Sequence, residues 1–179
     1  MFYFVRHGKT DYTQRNTKVY QGFGVNLSPL SAEGVAQIKA TARDERLQGT
    51  ELILCSPYTR AVQTAAILSR ELGAEIVVET DLHEWLANKH FHYDADAVAE
   101  ESYREYVENG GRYPANQEKI WESAEAVRRR VLAVLQRYRG YRKVIVAGHG
   151  LMIQSATQGP LPRVGEITKF DFQSGAEAL

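Results

Sequence analysis

The chain has 179 residues, 44% hydrophobic and 25% charged, with 14 glycines and 5 prolines, the balance of one folded domain with its own core rather than of a disordered or fibrous chain. Lysine plus arginine equals aspartate plus glutamate at 22 each, so no global field draws the protein to nucleic acid or to an anionic membrane surface, and any anion site must be local. The single cysteine, Cys55, rules out an internal disulfide, and no stretch approaches the ~18 apolar residues of a membrane span; together these predict a cytoplasmic protein.

Phe2-Tyr3-Phe4-Val5 is a run of β-prone apolar residues that reads as a buried strand, and the chain leaves it through Arg6-His7-Gly8-Lys9-Thr10, a cationic, glycine-bearing turn. Asp11 to Pro29 is polar and broken at Gln21-Gly22 and Gly24, which predicts a long loop. A helix follows, capped by Ser31 and carrying Val35, Ile38, Ala42 and Leu47 as one buried stripe. Leu52 to Cys55 is a second buried strand, in which Cys55 is a small core residue rather than a nucleophile. Ser56-Pro57 reads as a cap and a first-turn proline for a helix that buries Ala61, Thr64, Ala65 and Leu68 and closes at Gly73. Arg60 falls in the first turn, where a cation opposes the helix dipole unless an anion bridges the two. Glu75 to Val78 is a short β-branched strand, with His83 and Glu84 soon after it.

Leu86 to Gln117 is irregular, aromatic and acidic, and reads as an insertion. Ala95 to Val107 is its helix, and Trp85, Phe91, Tyr93, Tyr103 and Tyr106 either cover a site as a lid or pack in the core. Ser123 caps a helix through Tyr138 whose core stripe is Val127, Val131, Val134 and Leu135, leaving Arg128-Arg129-Arg130 on a solvated face. Lys143 to Ala147 is a fourth buried strand that runs into Gly148-His149-Gly150, the same strand-to-turn pattern as at the start of the chain. Leu151 to Gln158 predicts a helix closed by Gly159-Pro160, and Ile167 to Phe172 a last strand.

Strands alternating with helices imply an α/β fold, a mostly parallel sheet with helices on both faces. Ligands in such sheets bind just past the carboxyl ends of the strands. Arg6 with His7, then Arg60, Glu84 and His149 each follow a different strand. Any one of them alone could be a solvated or satisfied side chain, but together they converge on one sheet edge. Two arginines beside two histidines suit a tetrahedral dianion, because guanidinium groups grip phosphate oxygens through paired donors. Cationic surroundings also keep an imidazole neutral, its lone pair free to attack phosphorus. His7 is therefore the expected nucleophile, with Arg6, Arg60 and His149 holding charge on the equatorial oxygens and Glu84 protonating the leaving oxygen before activating water. That chemistry requires no metal. A competing reading takes His83, His90, His92 and Asp94 as metal ligands, since His-x-His on a strand puts both rings on one face.

The motifs RHGKT at 6–10, SPYTRAVQTA at 56–65, Leu82-His83-Glu84, ESAEAVRRRV at 122–131 and Gly148-His149-Gly150 resemble the histidine phosphatase superfamily, in its phosphoglycerate mutase-like branch, over nearly the whole chain. The resemblance implies a three-layer sandwich with a mixed, mostly parallel sheet, no cofactor, His7 as the phosphorylated nucleophile, Arg6, Arg60 and His149 as the phosphate pocket, and Glu84 as the proton donor. It also implies a phosphate-binding asparagine. Asn16 is the candidate, although Thr13 stands at the usual spacing, and Gly22 and Gly150 are assigned to substrate binding with it. Lys9 stands where the family usually has Glu, and Gly148 where Ser is common.

The expected protein is thus a single domain over 1–179 with an insertion or lid at about 86–117, a metal-independent phosphomonoesterase whose partner is a small-molecule phosphate ester. Mutases of the branch tend to carry a larger insertion and a longer C-terminal tail, which favours a phosphatase. A mutase, a phosphoprotein phosphatase and a non-catalytic phosphate-binding module are the alternatives. Oligomeric state leaves no mark in the sequence.

Overall fold

The apolar runs form five strands, β1 (Phe2–Arg6), β2 (Leu52–Cys55), β3 (Glu75–Val78), β4 (Val144–Gly148) and β5 (Ile167–Phe170), in a computed structural model that describes residues 1–91, 95–115 and 117–172. They make one sheet in the order β3-β2-β4-β1-β5. The first four are parallel, and β5 runs antiparallel beside β1. Among the described residues five α-helices accompany them: α1 (Ala32–Thr41), α2 (Thr59–Leu72), α3 (Asp96–Glu108), α4 (Ala124–Arg137) and α5 (Gly150–Thr157).

Successive side chains of a strand point to opposite faces, and both faces here are apolar because both are covered. Phe2, Phe4, Leu52, Leu54, Val144 and Val146 pack against Val127, Val131 and Leu135 of α4 and Met152 and Ile153 of α5. Val5, Ile53, Cys55, Ile145 and Ala147 pack against Ile38 of α1 and Ala65 and Leu68 of α2. The result is the three-layer α/β sandwich, with α1 and α2 on one side and α4 and α5 on the other. Burial pushes the Cys55 thiol up to about 11, so it packs as a small apolar residue. No helix among the described residues is long and apolar enough to cross a membrane.

Sheet register fixes the site. Arg6 lies opposite Gly148 and Cys55 opposite Ala147, so His7, Ser56 and His149 leave three neighbouring strands at one edge. The turn after β1 presses onto the start of α1: a Cβ on Gly8 would lie 2.5 Å from the Gly34 carbonyl oxygen, and one on Gly34 would lie 2.2 Å from that of Lys9. Only glycine pairs allow backbones so close. Ser31 caps α1 as expected, its hydroxyl accepting from Gly34 N–H at 3.0 Å.

Several element boundaries differ from the sequence expectation. α1 ends at Thr41, and Leu47 reaches the core from a separate 3-10 turn over Glu45–Leu47, which Asp44 starts by accepting from Arg46 N–H. α2 starts at Thr59 with Tyr58 preceding it, so Ser56 is not its cap. α5 closes on Gln158, at φ +56°, rather than on Gly159, and β5 stops at Phe170. The long loop after β1 contains 3-10 turns over Lys18–Tyr20 and Gly22–Leu27. The arginine face of α4 is not uniformly solvated: Arg130 is nearly buried against Glu122, and Arg128 Nη1 donates to the Ala156 carbonyl.

Candidate active site

His7 leaves β1 with its backbone N–H donated to the Gly148 carbonyl at 2.9 Å, which ties it to the strand that carries His149. Its Nδ1 lies 2.7 Å from the carbonyl of Gly8. A carbonyl only accepts, so Nδ1 holds the ring proton and Nε2 holds the lone pair. Arg60 Nε donates to that Nε2 at 3.2 Å. Burial first and the charge of Arg60 second, with Arg6 adding to them, push the imidazole down to about 3, against the opposing pull of the Gly8 carbonyl. The His7 ring is therefore neutral throughout the neutral pH range. Thr10 Oγ1 stands 3.5 Å from Nδ1 and supports the turn.

Arg60 owes its place to the first turn of α2, where it is 5% exposed. Its Nη1 donates to Asn26 Oδ1 at 3.3 Å, and its guanidinium lies 5.2 Å from the centroid of the Tyr58 ring. Arg6 Nη1 donates to the Pro162 carbonyl at 2.6 Å. Gly150 makes room for that guanidinium, since a Cβ there would lie 3.1 Å from Arg6 Cζ. His149 is fully buried, with its ring 5.3 Å from that of His7 and 5.2 Å from that of Tyr58, centroid to centroid. Its Nε2 is 2.7 Å from Ser56 Oγ. Burial, then Arg60, then His7 hold it well below the ordinary histidine value. Among the described residues, Arg6 Nε and His149 Nδ1 are buried side-chain atoms without a hydrogen-bond partner. Buried polar atoms are nearly always paired, and these two orphans lie on two of the three residues expected to hold phosphate, where an anion could satisfy them.

Glu84 follows β3 through a 3-10 turn over Thr80–Leu82. Its Oε1 accepts from the backbone N–H of Trp85 at 2.8 Å and of Met152 at 2.9 Å, and its Oε2 accepts from Leu151 N–H at 3.3 Å. A carboxylate on the first amides of α5 suits the positive end of that helix. The loop is clamped from below: Arg130 Nη1 donates to the carbonyls of Asp81 and His83 at 2.5 and 2.9 Å, and Nη2 to that of Glu84 at 3.3 Å. Glu122 holds Arg130 in a two-point pair at 2.7 and 2.9 Å, and its carbonyl accepts from the Trp85 indole at 2.6 Å.

Of the predicted site residues, the structure brings the buried His7, Arg60 and His149 together with the partly buried Arg6, and Glu84 to the margin of that group, with Gly150 against Arg6. Gly22 lines a neighbouring cleft with Asn26, Tyr58 and Glu84. Asn16 is not brought to the group: its Nδ2 donates to Asp96 Oδ2 at 3.2 Å, at the start of α3. The amide that does reach Arg60 belongs to Asn26. Ser56, Asn26, Tyr58 and Arg130 were missed. Ser56 alone carried a usable signal, since it follows β2 at the same sheet edge as His7 and His149. The two departures from the family pattern have local reasons. Lys9 pairs with Glu33 on the surface at 2.5 Å, and the space a side chain on Gly148 would need is taken by the Met152 Cε, 2.0 Å from the position of such a Cβ. Among the described residues no group of three or more His, Cys, Asp or Glu side chains is gathered as for a metal. His83 Nδ1 instead lies 2.7 Å from the Glu84 carbonyl, while His92 and Asp94 of the alternative ligand set, and Tyr93, lie outside the described residues.

Known proteins resemble the chain in sequence and in fold. A protein of Hydrogenobacter thermophilus named as phosphoserine phosphatase 2 is 28% identical over 155 residues, covering 83% of this chain and 72% of its own. The GpmB protein of Escherichia coli, named as a phosphoglycerate mutase, is 30% identical over 161 residues, covering 84% of this chain and 70% of its own. In fold, the mycobacterial glucosyl-3-phosphoglycerate phosphatase superposes with a TM-score of 0.64 at 23% identity, over 89% of this chain and 80% of that one. Residues 2–169 match the histidine phosphatase superfamily, branch 1, and the chain belongs to that family.

Proposed function

We propose that the protein is a phosphomonoesterase that needs no metal or other cofactor and that releases phosphate from a small phosphorylated metabolite in the cytoplasm by way of a phosphohistidine at His7. The observation that carries this reading is the state of His7. Its ring is neutral, its Nδ1 proton is committed to the Gly8 carbonyl, and among the described residues its Nε2 lone pair meets only the Arg60 N–H, a donor that an incoming phosphate oxygen can take over.

In the first step Nε2 bonds to phosphorus as the P–O bond to the alcohol breaks, and the Glu84 carboxyl passes its proton to the departing oxygen. In the second, the Glu84 carboxylate takes a proton from water, the water oxygen attacks phosphorus and the P–N bond breaks, returning neutral His7 and free phosphate. Arg6, Arg60 and His149 Nδ1 hold the three equatorial oxygens. Glu84 must release its backbone contacts to reach the leaving oxygen, a side-chain rotation within the clamped loop. We also read residues 1–179 as one domain with 86–117 as a lid, supported by Phe91, whose ring lies 6.2 Å from that of Phe23 and 6.4 Å from that of His83.

The test is a quench of enzyme turning over a ³²P-labelled ester. A phosphoramidate survives alkali and is lost in acid, so alkali-stable, acid-labile label is expected, and His7→Ala abolishes it. Hydrolysis without such label would sink the mechanism. Similarity to GpmB supports a mutase as the second reading; efficient isomerisation of 3-phosphoglycerate primed with a bisphosphoglycerate, without net phosphate release, would establish it.

A further inference from the structure

We infer that the alcohol released by this site is compact and apolar, a single ring or a short branched chain without a second anionic group; this rests on the phosphomonoesterase reading above. A cleft of about 170 Å³ opens beside the phosphate pocket. Asn26, which holds Arg60, and Glu84, which faces the leaving oxygen, both line it, so it begins where the alcohol must sit. Pockets for drug-sized ligands run to about 300–1,000 Å³; this one holds a smaller group.

Its walls decide the chemistry. Phe23, Val25, Tyr58, Trp85, Leu86 and Val98 present rings and aliphatic carbons. Phe23 and Val98 stay 39% and 37% exposed. Apolar side chains left in water around a concave site mark a ligand surface. The charged side chains in the described lining are Arg15, Glu84 and Asp96. Arg15 Nη2 is paired with Asp96 Oδ2 at 3.4 Å, and Glu84 is engaged in proton transfer. A carboxylate or second phosphate on the substrate would therefore face two acids and one arginine already neutralised. Desolvating such a group without a partner is costly, whereas an apolar group gains by leaving water. Phosphoglycerate, phosphoserine and bisphosphates are disfavoured on this ground.

The discriminating pair is phenethyl phosphate and 3-phosphoglycerate, both esters of alcohols rather than phenols, so that leaving-group reactivity does not bias the comparison. The wild-type protein should show kcat/KM about tenfold or more higher for phenethyl phosphate. Val98→Lys, which puts a cation at a half-exposed position of the cleft, should narrow or reverse that ratio. His7-dependent phosphate release that is equal or faster from 3-phosphoglycerate in the wild type would overturn the inference and leave the phosphatase standing. Absence of His7-dependent release from any ester would instead remove the phosphatase reading. Calorimetry then still decides the inference: phenethylphosphonate binding about tenfold tighter than 3-phosphoglycerate supports it, and the reverse order overturns it.

Discussion

Ser56 sits at the end of β2, fully buried, with its hydroxyl 2.7 Å from His149 Nε2. If that hydroxyl donates, the histidine proton stays on Nδ1, the nitrogen that has no partner among the described residues and that the proposed mechanism uses as a donor to phosphate. Ser56→Ala leaves both ring nitrogens without a side-chain partner in a dry site, where losing one partner of a buried polar group costs about 1–3 kcal/mol. Urea unfolding should register a loss of that size. Vanadate or phosphate affinity should fall about tenfold, the equivalent of ~1.4 kcal/mol, while His7 still becomes labelled. Unchanged anion affinity alongside the stability loss would reduce Ser56 to a packing residue.

At the scale of elements, the loop after β3 that carries Glu84 is held by a helix distant in sequence. Arg130 of α4 spans three carbonyls of residues 81–84 and is locked by Glu122, with both side chains nearly buried. Arg130→Met strands the Glu122 carboxylate, and breaking one half of such a pair costs about 3–5 kcal/mol. Replacing both partners with apolar residues, Arg130→Met with Glu122→Leu, should recover most of that stability, but kcat should stay about tenfold or more down because the carbonyls carrying Glu84 remain unclamped. Recovery of kcat together with stability would show that the pair serves the fold alone. The strands, the stripes of α2 and α4, and the positions of His7, Arg60 and His149 are legible because apolar periodicity and strand-end geometry are local rules. Arg130 was not legible: a polar stripe on a helix looks the same whether it faces water or the backbone of a distant loop. Asn16 and Asn26 failed the same way, because which amide reaches Arg60 depends on the path of two 3-10 turns that no short pattern encodes.

The whole molecule carries no net charge, yet it concentrates cations and dry histidines at one sheet edge, and that concentration sets its response to acid. His7 is pushed down to about 3 from 6.5; His149 is lowered by burial and Arg60, and His83 by burial and Arg130. In the unfolded chain these rings take up protons as pH falls through 6.5, whereas in the folded protein they stay neutral. The unfolded state then binds more protons, so stability is full above about 6.5 and is lost as pH drops toward the folded value. The unfolded ring of His7 is almost wholly protonated at pH 5, which makes its share between pH 7 and pH 5 about 2 kcal/mol. Carboxylates held low by hydrogen bonds, such as Asp44 with Arg46 and Glu105 with Trp121, act at lower pH, where unfolded acids begin to protonate, so the window from 6.5 to 5 belongs to the histidines. Urea unfolding measured across that window should show stability falling steadily with acid. His7→Gln should remove about one proton from the slope while leaving the contributions of His149 and His83 in place. An unchanged slope in His7→Gln would mean that His7 titrates in the folded protein as it does in the unfolded one, and the neutral nucleophile on which the proposed chemistry depends would be lost with it.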